Sequence, residues 1–427
     1  MTAIHCCHFS KLSTDVQTVF KKDNMFSPKE HPSRMEFVIL MAFMVSVFAM
    51  STDVMLPAMA LIADDLGVTD VNRVQLVVSI MFAGFAVGQL FAGPLSDGFG
   101  RKPVIYAGYF IFIIGCIISM LADDLTTMLV ARFLQGLGVA APRTVTTSLI
   151  RDRFAGRGMA QIMSMVMAVF ILVPMLAPAI GQAVIQFLPW RYCFGLLLLM
   201  AVTATFWFAL RQPETLPADA RSELSPTSLA KAALDVLGRR IVVGYTVALG
   251  LVFGVFVSYL GAAQQIFQDA LGTGLMFPLY FGLASIAIGA SSVLNSMLVM
   301  QLGMRRLTIL ALLNLVVTSA VFFWVFWMNF GGRPPILLFM CWQMLAFSSV
   351  GILFGNLNAL AMEPVGHIAG MGSAIIGSLS TLVALPFAYV IGQMFNDTVL
   401  PLVGGFSLLG LAALITAAST ALATDRQ

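Results

Sequence analysis

Long apolar runs alternate with short polar breaks from residue 37 almost to the end of the chain. Twelve of them are long enough to cross a bilayer, for which about 20 mostly apolar residues suffice. They are 37–61, 71–91, 104–121, 126–149, 159–187, 190–210, 241–263, 276–301, 308–330, 336–361, 372–392 and 400–422. Barrel strands would instead alternate apolar and polar residues in segments of about ten. The pattern therefore predicts an all-α integral membrane protein with twelve transmembrane helices. Two long polar stretches stand out, a tail at 1–36 and the segment 211–240, "RQPETLPADARSELSPTSLAKAALDVLGRR". The second divides the spans into two six-helix halves, 37–210 and 241–422, and a short tail follows at 423–427.

Composition agrees. Hydrophobic residues make up 59% of the chain and charged residues only 10%, with mean hydropathy +0.94; a soluble domain carries about 25% charged residues. The net charge of +3 gives no reason to expect a nucleic-acid partner. The placement of the cations says more. With the N-terminus inside, the 23 Lys and Arg divide into 18 inside, three outside (Arg73, Arg191, Arg333) and two within a span, Arg132 and Arg143. The positive-inside rule then puts both termini in the cytoplasm. Residues 1–34 have no apolar core ahead of a cleavage site and read as a cytoplasmic tail rather than a signal peptide. The halves echo each other: Arg101 lies 64 residues after position 37, and Arg305 lies 64 after position 241. Such a parallel repeat is a transporter signature.

The cysteines and histidines suggest little chemistry. Cys116, Cys193 and Cys341 lie in apolar runs and read as small packing residues. His5, Cys6, Cys7 and His8 are adjacent in a polar tail, without the spacing of a usual zinc site. No metal or cofactor is expected, and no span carries a histidine–acid cluster that would suit an enzyme.

One polar break is distinctive. "GPLSDGFGRKPV", residues 93–104, holds three glycines, two prolines, one acid and two adjacent bases. Gly93 and Pro94 are expected to end the second span, since proline cannot continue a helix. Gly98 and Gly100 permit a tight reversal, and Arg101 and Lys102 would sit at the anionic inner surface. The segment resembles the loop motif of the major facilitator superfamily at Gly93, Leu95, Asp97, Gly100, Arg101 and Lys102, with Gly98 standing where an arginine is usual. In span 4, Leu129, Arg132, Gln135, Gly136 and Gly138 resemble the pattern of proton-coupled drug exporters. In span 5, Pro178 and Gly181 match part of the antiporter motif, while Ala177 and Gln182 replace its glycines. "STDVMLPAMALIADDLGV", "EPVGHIAGMGSA", "WRYCF" and "PETL" are similar to the bicyclomycin-resistance type of twelve-span drug:proton antiporter.

The resemblance implies the two-bundle major facilitator fold. It also implies a monomer in the bacterial inner membrane that exports small, partly hydrophobic molecules or drugs against protons, and so a place in antibiotic resistance. By the same resemblance, Asp97 faces the start of span 11 as part of an inner gate.

Charges inside lipid are costly, about 2.5–3.5 kcal/mol each at the bilayer centre. Asp53 and Arg132 both fall in the outer half of the membrane by their distance from the span ends, at about 1.5 Å per residue, and are expected to pair across a central cavity. The resemblance makes Asp53 the proton carrier and Arg132 its tuner; a purely structural ion pair is the alternative. Gln75, Gln161, Gln264, Asn295, Gln343 and Asn356 are candidates for the cavity wall, or else for helix-to-helix glue. Asp64, Asp65 and Asp70 read as solvated loop acids, and Arg143 as snorkelling to the headgroups. The partners expected are a small molecule, protons and the bilayer. A proton-coupled importer or facilitator, and a membrane-embedded enzyme, are the competing functions.

Overall fold

The computed structural model describes residues 32–221 and 233–424. The His5–His8 cluster, residues 222–232 of the central segment and the last three residues lie outside that range. Among the described residues twelve helices are long and apolar enough to cross a membrane, and there is no strand. They are α1 Arg34–Asp53, α2 Leu76–Phe99, α3 Arg101–Met120, α4 Leu125–Arg153, α5 Gly156–Phe187, α6 Arg191–Arg211, α7 Arg240–Gln264, α8 Phe277–Leu302, α9 Met304–Phe330, α10 Ile336–Met362, α11 Ala369–Gln393 and α12 Leu400–Thr424. Each predicted run coincides with one helix.

The first run is not one straight helix. α1 stops at Asp53; a 3-10 turn, Leu56–Ala58, then leads into a short helix, Met59–Asp65. Pro57, at the start of that turn, has no N–H with which to continue α1. The seventh run also changes geometry near its end, where Gln265–Ala270 forms a π-helix.

Glycines set the packing of the first half. Gly136 of α4 lies on the Met81 and Phe85 backbone of α2, and Gly138 lies on Gly108 and Phe112 of α3. A Cβ at either position would overlap those atoms. Small residues that let backbones approach are the usual means of association between membrane helices, so these two motif glycines are packing residues.

The break between α2 and α3 is shorter than its sequence suggests. Pro94 does not end α2, which runs through it to Phe99. The missing N–H forfeits one i→i−4 bond, to the Leu90 carbonyl, and one turn nearer the helix end the Ser96 hydroxyl donates to the Gly93 carbonyl (2.8 Å). Gly100 makes the reversal alone, at φ 103°. Gly303, at φ 77°, makes the matching reversal between α8 and α9. The echo between the halves is thus a repeated backbone device.

Successive helices alternate in direction, so Arg34, Arg101, Lys102, Arg151, Arg153, Arg211, Arg239, Arg240, Arg305 and Arg306 fall at the end of the bundle where the helical core begins and finishes. That end is called the termini end below. Arg73, Arg191 and Arg333 fall at the opposite, far end.

Candidate functional site

A cavity of about 190 Å³ lies between the halves, walled by α1, α2 and α5 on one side and α7, α8 and α10 on the other. Much of the wall is aromatic, with Phe48 and Phe82 facing Phe256, Phe281, Phe347 and Phe354. Asp53 and Tyr259 are the two wall groups left with polar atoms unanswered. Asp53 is 3% exposed, and its Oδ1 has no hydrogen-bond partner. The Tyr259 hydroxyl is buried and likewise unpartnered. Leaving a buried polar atom unpaired costs about 1–3 kcal/mol, so such atoms in a native interior call for an explanation, a functional one included.

The expected pairing of Asp53 with Arg132 is not formed. Arg132 is fully buried. Its Nη2 donates to the Ser51 carbonyl (2.9 Å), Nε to the Val77 carbonyl (3.0 Å) and Nη1 to Gln135 Oε1 (2.5 Å). Gln135 in turn donates to Ser119 Oγ (3.0 Å). Every guanidinium nitrogen is therefore engaged, and two of the acceptors are main-chain carbonyls. Close α2–α4 packing at Gly136 brings those carbonyls within reach of the side chain. Arg132 meets α1 at Ser51, two residues before Asp53, and not at the Asp53 carboxyl. On the other side of the break, Gly181 of α5 sits on the Val54 carbonyl, with no room for a Cβ, and Pro178 is buried nearby. The span-4 and span-5 motifs thus clamp the α1 break on which Asp53 is mounted.

None of the six amides proposed for the cavity wall lines it. Gln161 accepts from Arg34 (2.6 Å) and Gln264 donates to Gln268 (2.8 Å). Asn295 and Asn356 exchange two bonds between α8 and α10 (3.1 and 2.9 Å). Gln343 is buried with both amide atoms unpartnered, against Tyr259 rather than on the wall. Gln75 belongs to a far-end latch between the halves. It donates to Gln265 Oε1 and to the Gly392 carbonyl (3.2 Å). Gln265 donates to Asn72 Oδ1 (3.2 Å), Asn72 donates to the Gln393 and Phe395 carbonyls (3.3 and 2.9 Å), and Gln393 donates to the Asn72 carbonyl (2.9 Å). At the termini end no residue of α8 from Ser292 to Leu302 is buried, although Ser292 and Asn295 bond there to α10.

The loop motif forms a charge cluster. Arg101 was expected at the membrane surface, but it is 3% exposed. Its guanidinium donates to Asp97 (2.5 Å), Asp152 (2.9 Å) and Ser96 (2.8 Å). Lys102 donates to the Gln212 carbonyl (2.7 Å). Glu214, from the start of the central segment, accepts the backbone N–H groups of Arg101 (3.0 Å) and Lys102 (2.9 Å), and so caps α3 from outside. Partial burial opposes ionisation of Glu214, but the N–H groups of Lys102, Leu216, Arg101 and Thr215 together outweigh it and hold its carboxyl below the usual range. Asp97 contacts Arg101 rather than span 11. Its level along α2 still fits the expected gate: Gln75 meets Gly392 and Gln89 meets Gly377, and continuing that antiparallel register brings Asp97 opposite the first turn of α11.

Other placements differ from expectation. Asp65 is not a free loop acid; it pairs with Arg191 and accepts from Trp190 Nε1 (3.0 Å). Arg143 lies over the Phe170 ring (5.2 Å). Cys341 is exposed rather than packed, while Cys116 and Cys193 are buried.

The sequence profile of the Major Facilitator Superfamily matches residues 41–388. The chain belongs to the major facilitator superfamily. The MFS-type transporter YdgK of Bacillus subtilis is 27% identical over 368 residues, 86% of this chain and 90% of that protein. The bicyclomycin resistance protein homolog of Haemophilus influenzae is 26% identical over 376 residues, 86% of this chain and 91% of that protein. Among solved structures, a D-xylose–proton symporter superposes with TM-score 0.71 at 15% identity, over 90% of this chain and 97% of that one; at that identity the likeness is one of fold. The chain is a multi-pass membrane transporter of this superfamily, not an enzyme.

Tyr259 is the site residue that sequence reasoning missed. A tyrosine in an apolar run gives no signal by itself. Register within the superfamily's repeat would have found it: Asp53 stands nineteen residues after the first residue of α1, and Tyr259 nineteen after the first of α7.

Proposed function

We propose that this transporter exports small, partly hydrophobic molecules in exchange for protons, with Asp53 as the coupling acid. The observation that carries the reading is a buried carboxyl oxygen without a partner, at a cavity walled by both halves. Uptake of a proton and binding of a substrate can both act there. The latch of hydrogen bonds between the halves at the far end favours a cycle in which the two ends open in turn. The relatedness to a bicyclomycin resistance protein homolog favours export of drug-like compounds. The protein works as a monomer in the bacterial inner membrane, with the termini end and the central segment 211–240 in the cytoplasm. One proton moving inward down 100 mV and one pH unit releases about 3.7 kcal/mol, which sustains a gradient of roughly 500-fold for a neutral solute exchanged one for one.

Acid-pulse fluorescence in inverted vesicles tests the coupling, using a compound to which overexpression confers resistance in a pump-deleted strain. Asp53→Asn is expected to abolish proton release on addition of that compound while leaving its binding intact. Proton release undiminished in Asp53→Asn would place the coupling acid elsewhere, and proton flux of the opposite sign would make the protein an importer. The topology has its own test in a Cys-less background. A cysteine at Asp124 is expected to react with an impermeant thiol reagent in intact cells and a cysteine at Ser222 is not; labelling at Ser222 from outside overturns the orientation.

A further inference from the structure

Besides Asp53, two charges lie well inside spans, Arg132 and Arg143, and they stand differently. Arg132 is committed, with an acceptor at every nitrogen. Arg143 is not. Its guanidinium lies over the Phe170 ring (5.2 Å), and among the described residues no hydrogen bond, ion pair or nearby charge answers it. It is partly accessible rather than buried. An ionisable group within the membrane is costly, and by default it marks function.

Geometry aims Arg143 at the cavity. The end of α4 is level with the start of α1, because Arg153 donates to the Pro32 carbonyl (2.9 Å) and lies over the Phe37 ring (4.8 Å). Arg143 stands ten residues before Arg153, about 15 Å from that end. Helical side chains lean towards the N-terminus of their helix. α4 begins at the far end, so Arg143 leans away from the nearer headgroups, and Phe170, over which it lies, lines the cavity with Asp53. Asp53 is on the antiparallel α1 and leans the other way, towards Arg143. Eleven residues, three turns and about 20°, separate Arg143 from Arg132, so both occupy the α4 face that meets α1. The carboxyl and the cation thus converge on one cavity, from Cα levels about 14 Å apart.

We infer that Arg143 is the counter-ion of ionised Asp53: when Asp53 gives up its proton, the Arg143 guanidinium leaves the Phe170 ring and pairs with the carboxylate. The inference rests on Asp53 being the coupling acid, as proposed above. A buried carboxyl oxygen without a partner suits the protonated acid; the ion needs an opposite charge. Arg132 can supply one only by abandoning the carbonyls it holds. On α2, α5, α7, α8 and α10 the charged residues are Asp97, Arg157 and Arg240, all near the termini end, and Asp269 follows α7 at the far end. Tyr259, which faces Asp53 from α7, brings a hydroxyl and no charge. Arg143 remains, and its planar fork suits a carboxylate. In the step, the Asp53 O–H bond breaks and the proton passes to solvent at the termini end. The carboxylate left behind draws the guanidinium across, so a change of charge becomes a movement of the cavity wall.

Infrared titration of the purified full chain reads the protonated Asp53 carboxyl directly, as the C=O band that Asp53→Asn lacks. In Arg143→Gln, polar but uncharged, the band is expected to persist to a pH at least about one unit higher than in the wild type, a tenfold change in proton affinity. Arg143→Lys keeps the charge and is expected to titrate close to the wild type. The thermal stability of Arg143→Gln at a pH where Asp53 is protonated should equal or exceed that of the wild type, as a residue with a structural role would not allow. An unchanged midpoint in Arg143→Gln, equal displacements in Arg143→Gln and Arg143→Lys, or a band that does not titrate in the wild type overturns the inference. The readout needs no substrate, so it fails independently of the acid-pulse experiment, which tests the coupling role of Asp53 alone.

Discussion

The two halves of the bundle carry the same scaffold and opposite chemistry. Gly100 and Gly303 turn their chains alike, and Asp53 and Tyr259 sit at the same depth of equivalent helices. Yet the first half buries an arginine at the position where the second buries a glutamine. Arg132 is engaged through every nitrogen, whereas the Gln343 amide is engaged through neither atom. A duplicated fold can thus divide its labour: one copy keeps charge and the clamps that hold it, and the other keeps neutral polar groups free. The apolar pattern that makes both copies insert in the membrane says nothing of that division.

The largest expected effect separates Arg132 from Gln343. Arg132→Met strips three buried acceptors, the Ser51 and Val77 carbonyls and Gln135 Oε1, of charged donors worth about 1.5–3 kcal/mol each. Stability should fall by roughly 5 kcal/mol, and transport should be lost with the α1 clamp. Gln343→Met removes an amide that nothing bonds, so thermal stability in detergent should change by no more than about 1 kcal/mol. Equal losses in the two variants would mean that Gln343 is structural and that the halves do not differ as described.

What could be read in the sequence follows from the physics of each feature. The spans were legible because lipid demands long, unbroken apolar helices, and all twelve are there. Asp53 and Arg132 were legible because buried charge is rare enough to stand out. Their pairing was not, because a charge finds partners by geometry, and here the glycine-tight α2–α4 contact supplies carbonyls that no sequence pattern announces. Pro94 misled because the cost of proline depends on how much helix follows it, and only five residues do. The amides Gln75 and Gln265 looked like any others in apolar runs; the meeting of α2, α7 and α11 at the far end makes them a latch.

That latch gives a second, smaller test, because it lies where the halves meet rather than within either one. Gln75→Leu deletes two bonds across the interface, to Gln265 and to Gly392. At about 1 kcal/mol net each, the balance should shift roughly 30-fold towards far-end-open forms. Ser285→Cys, placed on the cavity wall of a Cys-less protein, should then react faster with an impermeant reagent applied from the far side. An unchanged rate would show that apolar packing, not the amides, holds that end shut. The latch amides themselves do not titrate, but Asp269, on the π-helix that carries Gln265, interacts electrostatically with Asp397 beside the Gln393–Phe395 acceptors, so pH-dependence of opening enters at the far end through that acid pair as well as through Asp53 and the termini-end cluster.

The smallest expected effect concerns that cluster, where the first half ties its loop to the central segment through Glu214. The Glu214 carboxyl is held below its usual range by four backbone N–H groups, against partial burial. A depressed carboxyl stabilises the state that depresses it at any pH above its ordinary value, near 4.5, and the contribution is lost as pH falls through the lower value of the attached state. The strap at residues 212–216 should therefore stay docked on α3 at neutral pH and release below about 4.5. Leu216→Cys in a Cys-less protein reports this directly, through its accessibility to a disulfide reagent that remains reactive in acid, and it spares the Thr215 hydroxyl that donates to Asp152 (2.9 Å). Labelling should rise as the pH is lowered, whereas in Glu214→Gln it should be higher at neutral pH and nearly flat. The Arg101 guanidinium bonds to Asp97, Asp152 and Ser96 and not to Glu214, so the α2–α3 turn itself should survive the release. A strap that stays closed at pH 3 in the native sequence would assign its docking to the Lys102–Gln212 and Thr215–Asp152 bonds, and would leave Glu214 as a cap on α3 alone.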